Sequence, residues 1–117
     1  MVKQKESIIQ DQIINYLKIR RLYVWQNKTQ GTYDPVRKIF RTPGKYHLNG
    51  VADILGILPD GKFLAIEVKT KTGRLSEHQR QFLENIKRMN GIAFVARSLE
   101  DVYENLQGYF NKKWTIL

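Results

Sequence analysis

The sequence predicts an α/β fold, in which a mixed central sheet is flanked by helices in the order α-β-β-β-α-β-α. Stretches with helical and with strand-like hydrophobic periodicity follow one another along the chain. Two of the strand-like runs enclose the turn Pro59-Asp60-Gly61, which is typical of an antiparallel hairpin. Residues 92–96 form a short apolar run without alternation, as expected of a strand buried on both faces.

The first half of the chain predicts one helix, one strand and a long loop. The helix is expected over residues 6–20, and residues 22–26, rich in β-forming side chains, predict the first strand. Residues 27–49 lack periodicity, and their glycines and prolines indicate turns and loop. One stripe of the helix, expected to face the protein body, carries Glu6, Gln10, Ile13 and Leu17.

The second half predicts the remaining sheet and two helices. Strands are expected over 51–58 and 62–70, followed by a helix with Ser76 as N-cap and a third helix capped by Ser98. Asn90-Gly91 ends the second helix. The strand 62–70 alternates, with Leu64, Ile66 and Val68 on one face and Ala65, Glu67 and Lys69 on the other.

The predicted hairpin brings two carboxylates together. Opposed residues in an antiparallel pair have a constant sum of numbers, and a three-residue loop centred on Asp60 sets Asp53 beside Glu67. Their Cβ atoms would lie about 4.5–5.5 Å apart, so both carboxylates can share one cation. A two-residue Asp-Gly turn would instead shift the register by one and separate them onto opposite faces.

Asp53, Glu67 and Lys69 have the chemistry that phosphodiester hydrolysis needs. Two carboxylates suit Mg²⁺, and Lys69 on the same strand face would reach an attacking water or the scissile phosphate. Glu6 would lend a further contact to the metal, either directly or through one of its ligands. The alternative is structural: a Glu-x-Lys sequence arises easily by chance in a charged chain, and cross-strand Glu–Lys neighbours are usually solvated ion pairs.

Composition favours a single domain over residues 1–117 with an anionic partner. The 20 Lys+Arg residues exceed the 11 Asp+Glu by 9, so nucleic acid is the first expectation, and ribosomes, anionic membranes or acidic proteins are the alternatives. The absence of cysteine excludes disulfides and thiolate metal sites and makes a reducing cytoplasm the default location. No apolar stretch is long enough to span a bilayer, and the polar start does not resemble a signal peptide.

The same residues resemble the VRR-NUC nucleases, a family within the PD-(D/E)xK, or restriction-endonuclease-like, superfamily. The similarity covers nearly the whole chain except loop 28–47. One departure is Ala52, which stands where the superfamily has a proline before the aspartate. The matching segments are Gly50 to Asp53, the hairpin through Thr70, Leu75 to Gln79, Ala93 to Val102, and at the front Glu6, Gln10 and Val24-Trp25.

The resemblance implies a stand-alone nuclease of phage or bacterial type, acting in the cytoplasm of a bacterial or phage-infected cell. It implies that Asp53, Glu67 and the backbone carbonyl of Val68 bind Mg²⁺ or Mn²⁺, that Lys69 assists catalysis, and that Glu6 and Gln79 complete the site. Gln79 has a second interpretation from the sequence alone, because it occupies the reciprocal position of a capping box with Ser76.

Basic residues around the predicted site are candidate DNA contacts. In loop 28–47 they are interleaved with aromatics, which would suit branched or frayed DNA; the alternative is a solvated loop whose aromatics pin it to the core or to a partner subunit. Trp114 and Ile116-Leu117 form an apolar tail that would close the core or a dimer. The predicted DNA contacts are Lys28, Arg37, Lys38, Arg41, Lys45, Lys71, Arg74 and Arg80.

The function expected from the sequence is a metal-dependent, structure-specific DNA endonuclease. The resemblance implies a homodimer that resolves four-way, Holliday-like junctions and leaves a 5′-phosphate and a 3′-hydroxyl. Two alternatives stay open: a nuclease directed to flaps or ends, and a non-catalytic DNA-binding accessory protein of the same fold.

Overall fold

The computed structural model describes residues 5–28, 33–36, 39–40 and 44–110. Four strands form a mixed sheet in the order β1-β4-β5-β6, and β2 pairs with β3 in a separate ribbon. The predicted α/β class is confirmed. In chain order the elements are α1 Glu6–Ile19, β1 Tyr23–Gln26, β2 Tyr33–Asp34, β3 Ile39–Phe40, β4 Ile54–Ile57, β5 Phe63–Val68, α2 Glu77–Arg88, β6 Ile92–Ala96 and α3 Leu99–Phe110.

In the described part of the chain, the β2–β3 ribbon is the one element that the sequence did not predict. It lies inside the region 27–49, which lacks periodicity. Each of its strands has only two residues, and alternation cannot be recognised over so short a run. The remaining elements follow the predicted order, with ends within a few residues of those expected.

The β4–β5 hairpin has the register on which the predicted site depends. Ile54 pairs with Ile66 and Leu55 with Ala65, so opposed residue numbers sum to 120. The loop is closed by a 2.9 Å hydrogen bond from Leu58 N–H to the Lys62 carbonyl, and Gly61 takes a φ of +90° that glycine adopts without strain. The two-residue turn is therefore excluded. Continued by one residue, the same register sets Asp53 directly across from Glu67.

The two faces of the sheet are covered by different helices. α1 and α3 pack together over one face, where Ile13, Leu17 and Leu106 are fully buried with the even-numbered residues of the strands. α2 packs on β5 and β6 at the other face, where Leu83 meets Ala65. None of the helices in the described part of the chain is long and apolar enough to cross a membrane.

The β5–α2–β6 unit brings α2 over the carboxylate end of the hairpin. β6 runs parallel to β5, with Val68 paired to Ala96. Both faces of β6 are packed, because Phe94 belongs to the core under α1 and α3 while Ala93 belongs to the cluster under α2. The predicted strand buried on both faces is confirmed, and its connection through α2 sets the first turn of that helix beside Glu67.

Gly50 allows the segment before Asp53 to touch the first turn of α2. Its φ is +75°, and a Cβ at this position would lie 2.4 Å from the backbone carbon of His78 and 2.6 Å from the nitrogen of Gln79. Both atoms are main chain and cannot rotate away. Gly50 therefore fixes how closely α2 approaches the hairpin.

We expect Gly50→Ala to lower the free energy of unfolding by at least about 2 kcal/mol, because it combines a left-handed backbone with a steric overlap. Urea denaturation measures the effect. Gly44→Ala is the matched control, since among the described residues no atom beyond the chain neighbours lies within 4 Å of the added Cβ there. Equal stability of the two variants would contradict the close packing of Gly50 on α2.

Candidate active site

Asp53 lies just before β4, and its backbone is held by two neighbouring elements. Its carbonyl accepts a 2.8 Å hydrogen bond from Asn27 N–H at the end of β1 and a 3.4 Å bond from Gln10 Nε2 on α1. Its carboxylate Oδ2 accepts a 2.9 Å bond from the backbone N–H of Val68. Asp53 is thus fixed beside the last residues of β5, as the register predicts.

Glu67 is the only buried charged or polar side chain among the described residues, with 2% of the residue exposed. Its Oε1 accepts a 3.1 Å hydrogen bond from Gln79 Nε2 and lies 3.9 Å from Lys69 Nζ. Its Oε2 is buried and accepts no hydrogen bond from any residue that the structure describes. A buried carboxylate oxygen without a donor is costly unless a cation or a proton meets it.

The electrostatics of Glu67 follow from this burial. Desolvation, together with the adjacent carboxyl of Asp53, raises the pKa of Glu67 to about 8, while the positive charge of Lys69 opposes the shift. Two carboxyls in contact cannot both ionise cheaply in a dry site. A cation bound between them would favour the ionised form of both.

Lys69 follows β5 on the same face as Glu67. Only 11% of its side chain is exposed, and its backbone N–H donates a 3.1 Å hydrogen bond to the Ala96 carbonyl. Gly73 lies close to the aliphatic part of the Lys69 side chain, because a Cβ at Gly73 would be 3.4 Å from Lys69 Cδ. The ammonium is therefore held near the carboxylates by packing along its stem.

Gln79 satisfies both interpretations that the sequence left open. Its Oε1 accepts a 2.9 Å hydrogen bond from Ser76 N–H, and its backbone N–H donates a 3.2 Å bond to Ser76 Oγ, which completes the capping box. Its Nε2 then donates to Glu67 Oε1. One side chain therefore both begins α2 and orients the buried carboxylate.

Glu6 differs from its expected placement. It lies in the first turn of α1 and is exposed, because the buried stripe of the helix begins only at Ile9. Its charge still contributes to the raised pKa of Glu67, so the two groups are near neighbours electrostatically.

The donor set suits a hydrated divalent cation. The N–H of Lys69 points toward β6, so alternation along the strand turns the N–H and the carbonyl of Val68 toward Asp53. Two carboxyls and this carbonyl are oxygen ligands, and Mg²⁺ keeps several waters. Within the described ranges, no group of three or more acidic or histidine side chains is arranged to hold a metal, so water would have to complete the coordination.

Arg97 is a contributor to the site that sequence reasoning missed. Its Nη1 lies 2.5 Å from the Thr70 carbonyl oxygen and 2.7 Å from that of Gly73, so it ties the turn after Lys69 to the end of β6. In the sequence it is one arginine after a strand. No local pattern indicates which carbonyls it meets, because the contact joins residues 24 and 27 positions apart.

The predicted DNA contacts fall into three groups. Lys28, Lys45, Lys71 and Arg74 are exposed. Arg80 is exposed too, but its guanidinium is paired along α2 with Glu77 and with Glu84. Outside the described residues lie Arg37, Lys38, Arg41 and the tail residues Trp114, Ile116 and Leu117.

The raised pKa of Glu67 makes the metal-free protein sensitive to pH. Between its ordinary pKa of 4.5 and its folded value of about 8, the unfolded chain loses the proton that the folded protein retains. Stability present at low pH is therefore lost as the pH rises through this window. We expect Glu67→Gln to flatten this dependence. Between pH 5 and pH 8, the free energy of unfolding of the variant should rise by at least about 1 kcal/mol relative to that of the parent.

Urea unfolding in the presence of a chelator, at several pH values, measures this difference. Glu104→Gln removes one exposed carboxyl from α3 and serves as the matched control. Parallel pH profiles for the parent and Glu67→Gln would contradict a buried, protonated Glu67.

Two comparisons with known proteins bear on the family and the fold of this chain. The model of the VRR-NUC domain matches residues 9–100, which include Asp53, Glu67, Lys69 and Gln79 but not Glu6. A solved structure described as a VRR_NUC domain protein superimposes with a TM-score of 0.65 at 16% identity, covering 92% of this chain and 89% of its own. No curated protein sequence matches.

The structural likeness supports the restriction-endonuclease-like fold, and the family match spans well over half of the chain. The chain belongs to the VRR-NUC domain family, whose members are generally nucleases.

Proposed function

We propose that this protein is a metal-dependent, structure-specific DNA endonuclease. Its active site for phosphodiester hydrolysis contains Asp53 and Glu67. The observation that carries the proposal is the buried Glu67 carboxyl, whose Oε2 lacks a donor among the described residues and which lies beside Asp53 and Lys69. A purely structural ion pair would gain nothing from a second carboxyl at this position.

Asp53, Glu67 and the Val68 carbonyl would hold Mg²⁺ or Mn²⁺. The bound ion supplies a Lewis acid that lowers the pKa of water and offsets charge on a phosphate. The donor-free Glu67 Oε2 and the two adjacent carboxyls fit such an ion, which explains why so unfavourable a pair is buried. This assignment rests on oxygen donors alone, which Mg²⁺ and Mn²⁺ both accept.

The other residues position and stabilise. Gln79 holds Glu67 Oε1 through a 3.1 Å hydrogen bond, while Oε2 has no donor among the described residues. Lys69, held by packing, presents an ammonium that would stabilise negative charge on the phosphate and could donate a hydrogen bond to the attacking water. Val68 N–H fixes the orientation of the Asp53 carboxylate.

The charge of the chain supports DNA as the substrate. A net charge of +9 attracts the phosphate backbone, and Lys71 and Arg74 are exposed in the turn that follows Lys69. Lys28 is exposed as well, and it directly follows Asn27, whose N–H donates to the Asp53 carbonyl.

Four-way junctions are the proposed substrate and a homodimer the proposed assembly. Two copies related by a twofold axis would present two sites to symmetric strands, and a 13.8 kDa chain is small against a branched junction. Resolution of Holliday-like junctions in DNA recombination or repair is the activity that follows. A nuclease directed to flaps or ends is the alternative within the same chemistry.

We expect Asp53→Asn, Glu67→Gln and Lys69→Met each to lower the rate of DNA cleavage by at least about 100-fold, because each removes a ligand or a charge from the reacting centre. Each variant should remain folded and bind DNA. Glu104→Gln, on the far helix α3, is the matched control. Cleavage within a few fold of the parent for all three variants would sink the assignment.

Cleavage should depend on Mg²⁺ or Mn²⁺ and stop in excess chelator. Ca²⁺ should support DNA binding with little turnover, because it prefers oxygen ligands at about 2.3–2.6 Å in looser geometry than the roughly 2.0–2.1 Å of Mg²⁺. Gel assays of a labelled junction with each ion test this. Undiminished cleavage with chelator present would exclude the metal mechanism.

The protein should be a homodimer and should cut a symmetric four-way junction faster than linear duplex of the same sequence. Light scattering at micromolar concentration should give twice the 13.8 kDa chain mass. A paired assay on junction, flap and duplex gives the preference. A monomer that cuts all three substrates at one rate would exclude junction resolution as the function and leave a general nuclease activity supported.

A further inference from the structure

Half of the sheet face that carries the catalytic carboxylates is not covered by α2. That helix packs on β5 and β6, whereas β1 and β4 present side chains of the same face beside it. The pairs Tyr23–Ile57 and Trp25–Leu55 lie on this face, since Leu55 packs with the cluster under α2 and Val24 with the opposite one. We call Tyr23, Trp25, Leu55 and Ile57 the aromatic face.

The aromatic face is exposed although it is built from large side chains. Tyr23 is 71% exposed, Trp25 38% and Ile57 44%. The rings of Tyr23 and Trp25 have centroids 5.5 Å apart and an interplanar angle of 58°, so each ring restricts the other. Strand β1 is also the edge of the sheet. Two mutually supported aromatic rings on a rigid strand offer apolar surface with little conformational entropy to lose on binding.

The aromatic face adjoins the catalytic site. Glu67 lies two residues beyond Ala65, which pairs with Leu55, and its side chain meets Gln79 of α2 on this same face. Asp53 lies two residues before Leu55, the partner of Trp25. Diagonal neighbours of this kind have Cβ atoms roughly 7–8 Å apart. A nucleotide whose phosphate lies at Asp53 is therefore within reach of the Trp25 ring.

The charge around β1 favours a polyanion over an apolar protein partner. Residues 18–28 contain four cations, Lys18, Arg20, Arg21 and Lys28, and no carboxylate. Arg20 is occupied by the rings of Tyr16 and Phe110, but Arg21 and Lys28 flank the strand and are exposed. Basic groups that follow a backbone beside aromatic rings are the recurring arrangement for single-stranded nucleic acid.

We propose that Trp25, supported by Tyr23, is a stacking platform for an unpaired base next to the phosphate that is cleaved. This rests on the proposed function and narrows its substrate class: the cleaved strand carries a base released from the duplex stack, as at a fork or a strand-exchange point. In continuous duplex both faces of every base are covered by neighbouring pairs, so the platform discriminates against it.

Binding of two oligonucleotides in metal-free buffer tests the platform without cleavage. The probes are a splayed duplex with unpaired thymine arms and a fully paired duplex of the same length. Trp25→Ala should weaken binding of the splayed probe by about 5- to 150-fold, the range expected for one stacked base, and change duplex binding by less than about twofold. Trp25→Phe should restore most of the affinity, because a ring is retained.

Tyr103→Ala, on α3, is the matched control, since Tyr103 is 41% exposed and also lies beside another ring. It should bind both probes as the parent does. Equal losses on both probes for Trp25→Ala, or no loss on either, would overturn the platform. The platform would also be contradicted if the parent were a dimer and Trp25→Ala a monomer in light scattering, because the aromatic face would then be an interface between copies.

Tryptophan fluorescence gives a direct readout that a structural role would not move. Trp114→Phe leaves Trp25 as the one tryptophan of the 117 residues. Its emission should be quenched by the splayed probe and unchanged by the duplex at equal occupancy. Unchanged emission with saturating splayed DNA would reject stacking.

Failure of the inference is distinguishable from failure of the proposed function. One outcome is cleavage that depends on metal and on Glu67 and yet is unchanged by Trp25 substitution on both splayed and paired DNA. That result would contradict the stacking platform and leave the proposed nuclease activity supported. Selective binding of splayed DNA and quenching by it, without cleavage of any DNA, would support the stacking platform and contradict the proposed nuclease activity.

Discussion

The structure depends on one constraint: a carboxyl group, that of Glu67, is buried at the end of a central strand beside a second carboxyl. Burial raises its pKa to about 8, and one of its oxygens has no donor among the described residues. Folding alone does not explain the arrangement, since an apolar residue there would be less costly. It becomes reasonable if the pair is completed by a cation.

The neighbouring elements all serve to keep this pair in place. The β4–β5 register sets Asp53 opposite Glu67, and contacts from α1 and β1 hold the Asp53 backbone. Gly50 lets the first turn of α2 come close enough for Gln79 to reach Glu67. From the other side, Arg97 ties the turn after Lys69 to the end of β6. The contacts of Gln10, Gly50 and Arg97 join elements that are distant in sequence, so the site forms only when these elements have packed together.

The hairpin register, the face shared by Glu67 and Lys69, and the capping box at Ser76 could all be predicted from the sequence, because each follows from local spacing. The exposure of Glu6, the contacts of Arg97 and the uncovered aromatic face could not. They depend on where a helix starts relative to the sheet edge and on which strands α2 covers, and these are properties of tertiary packing. The double role of Gln79 lay between these cases, since local spacing predicts the cap and only packing reveals the contact with Glu67.

The most direct test of a cation site at Asp53 and Glu67 is calorimetric titration of the DNA-free protein with Mn²⁺ at pH 7, in two buffers that differ in ionisation enthalpy. We expect saturable binding with release of a proton, because the ion displaces the proton held by Glu67 below its pKa of about 8. Glu67→Gln should weaken binding and abolish the proton release. Saturable binding that is identical in Glu67→Gln, or no binding in the parent at millimolar Mn²⁺, would contradict a cation site at Asp53 and Glu67.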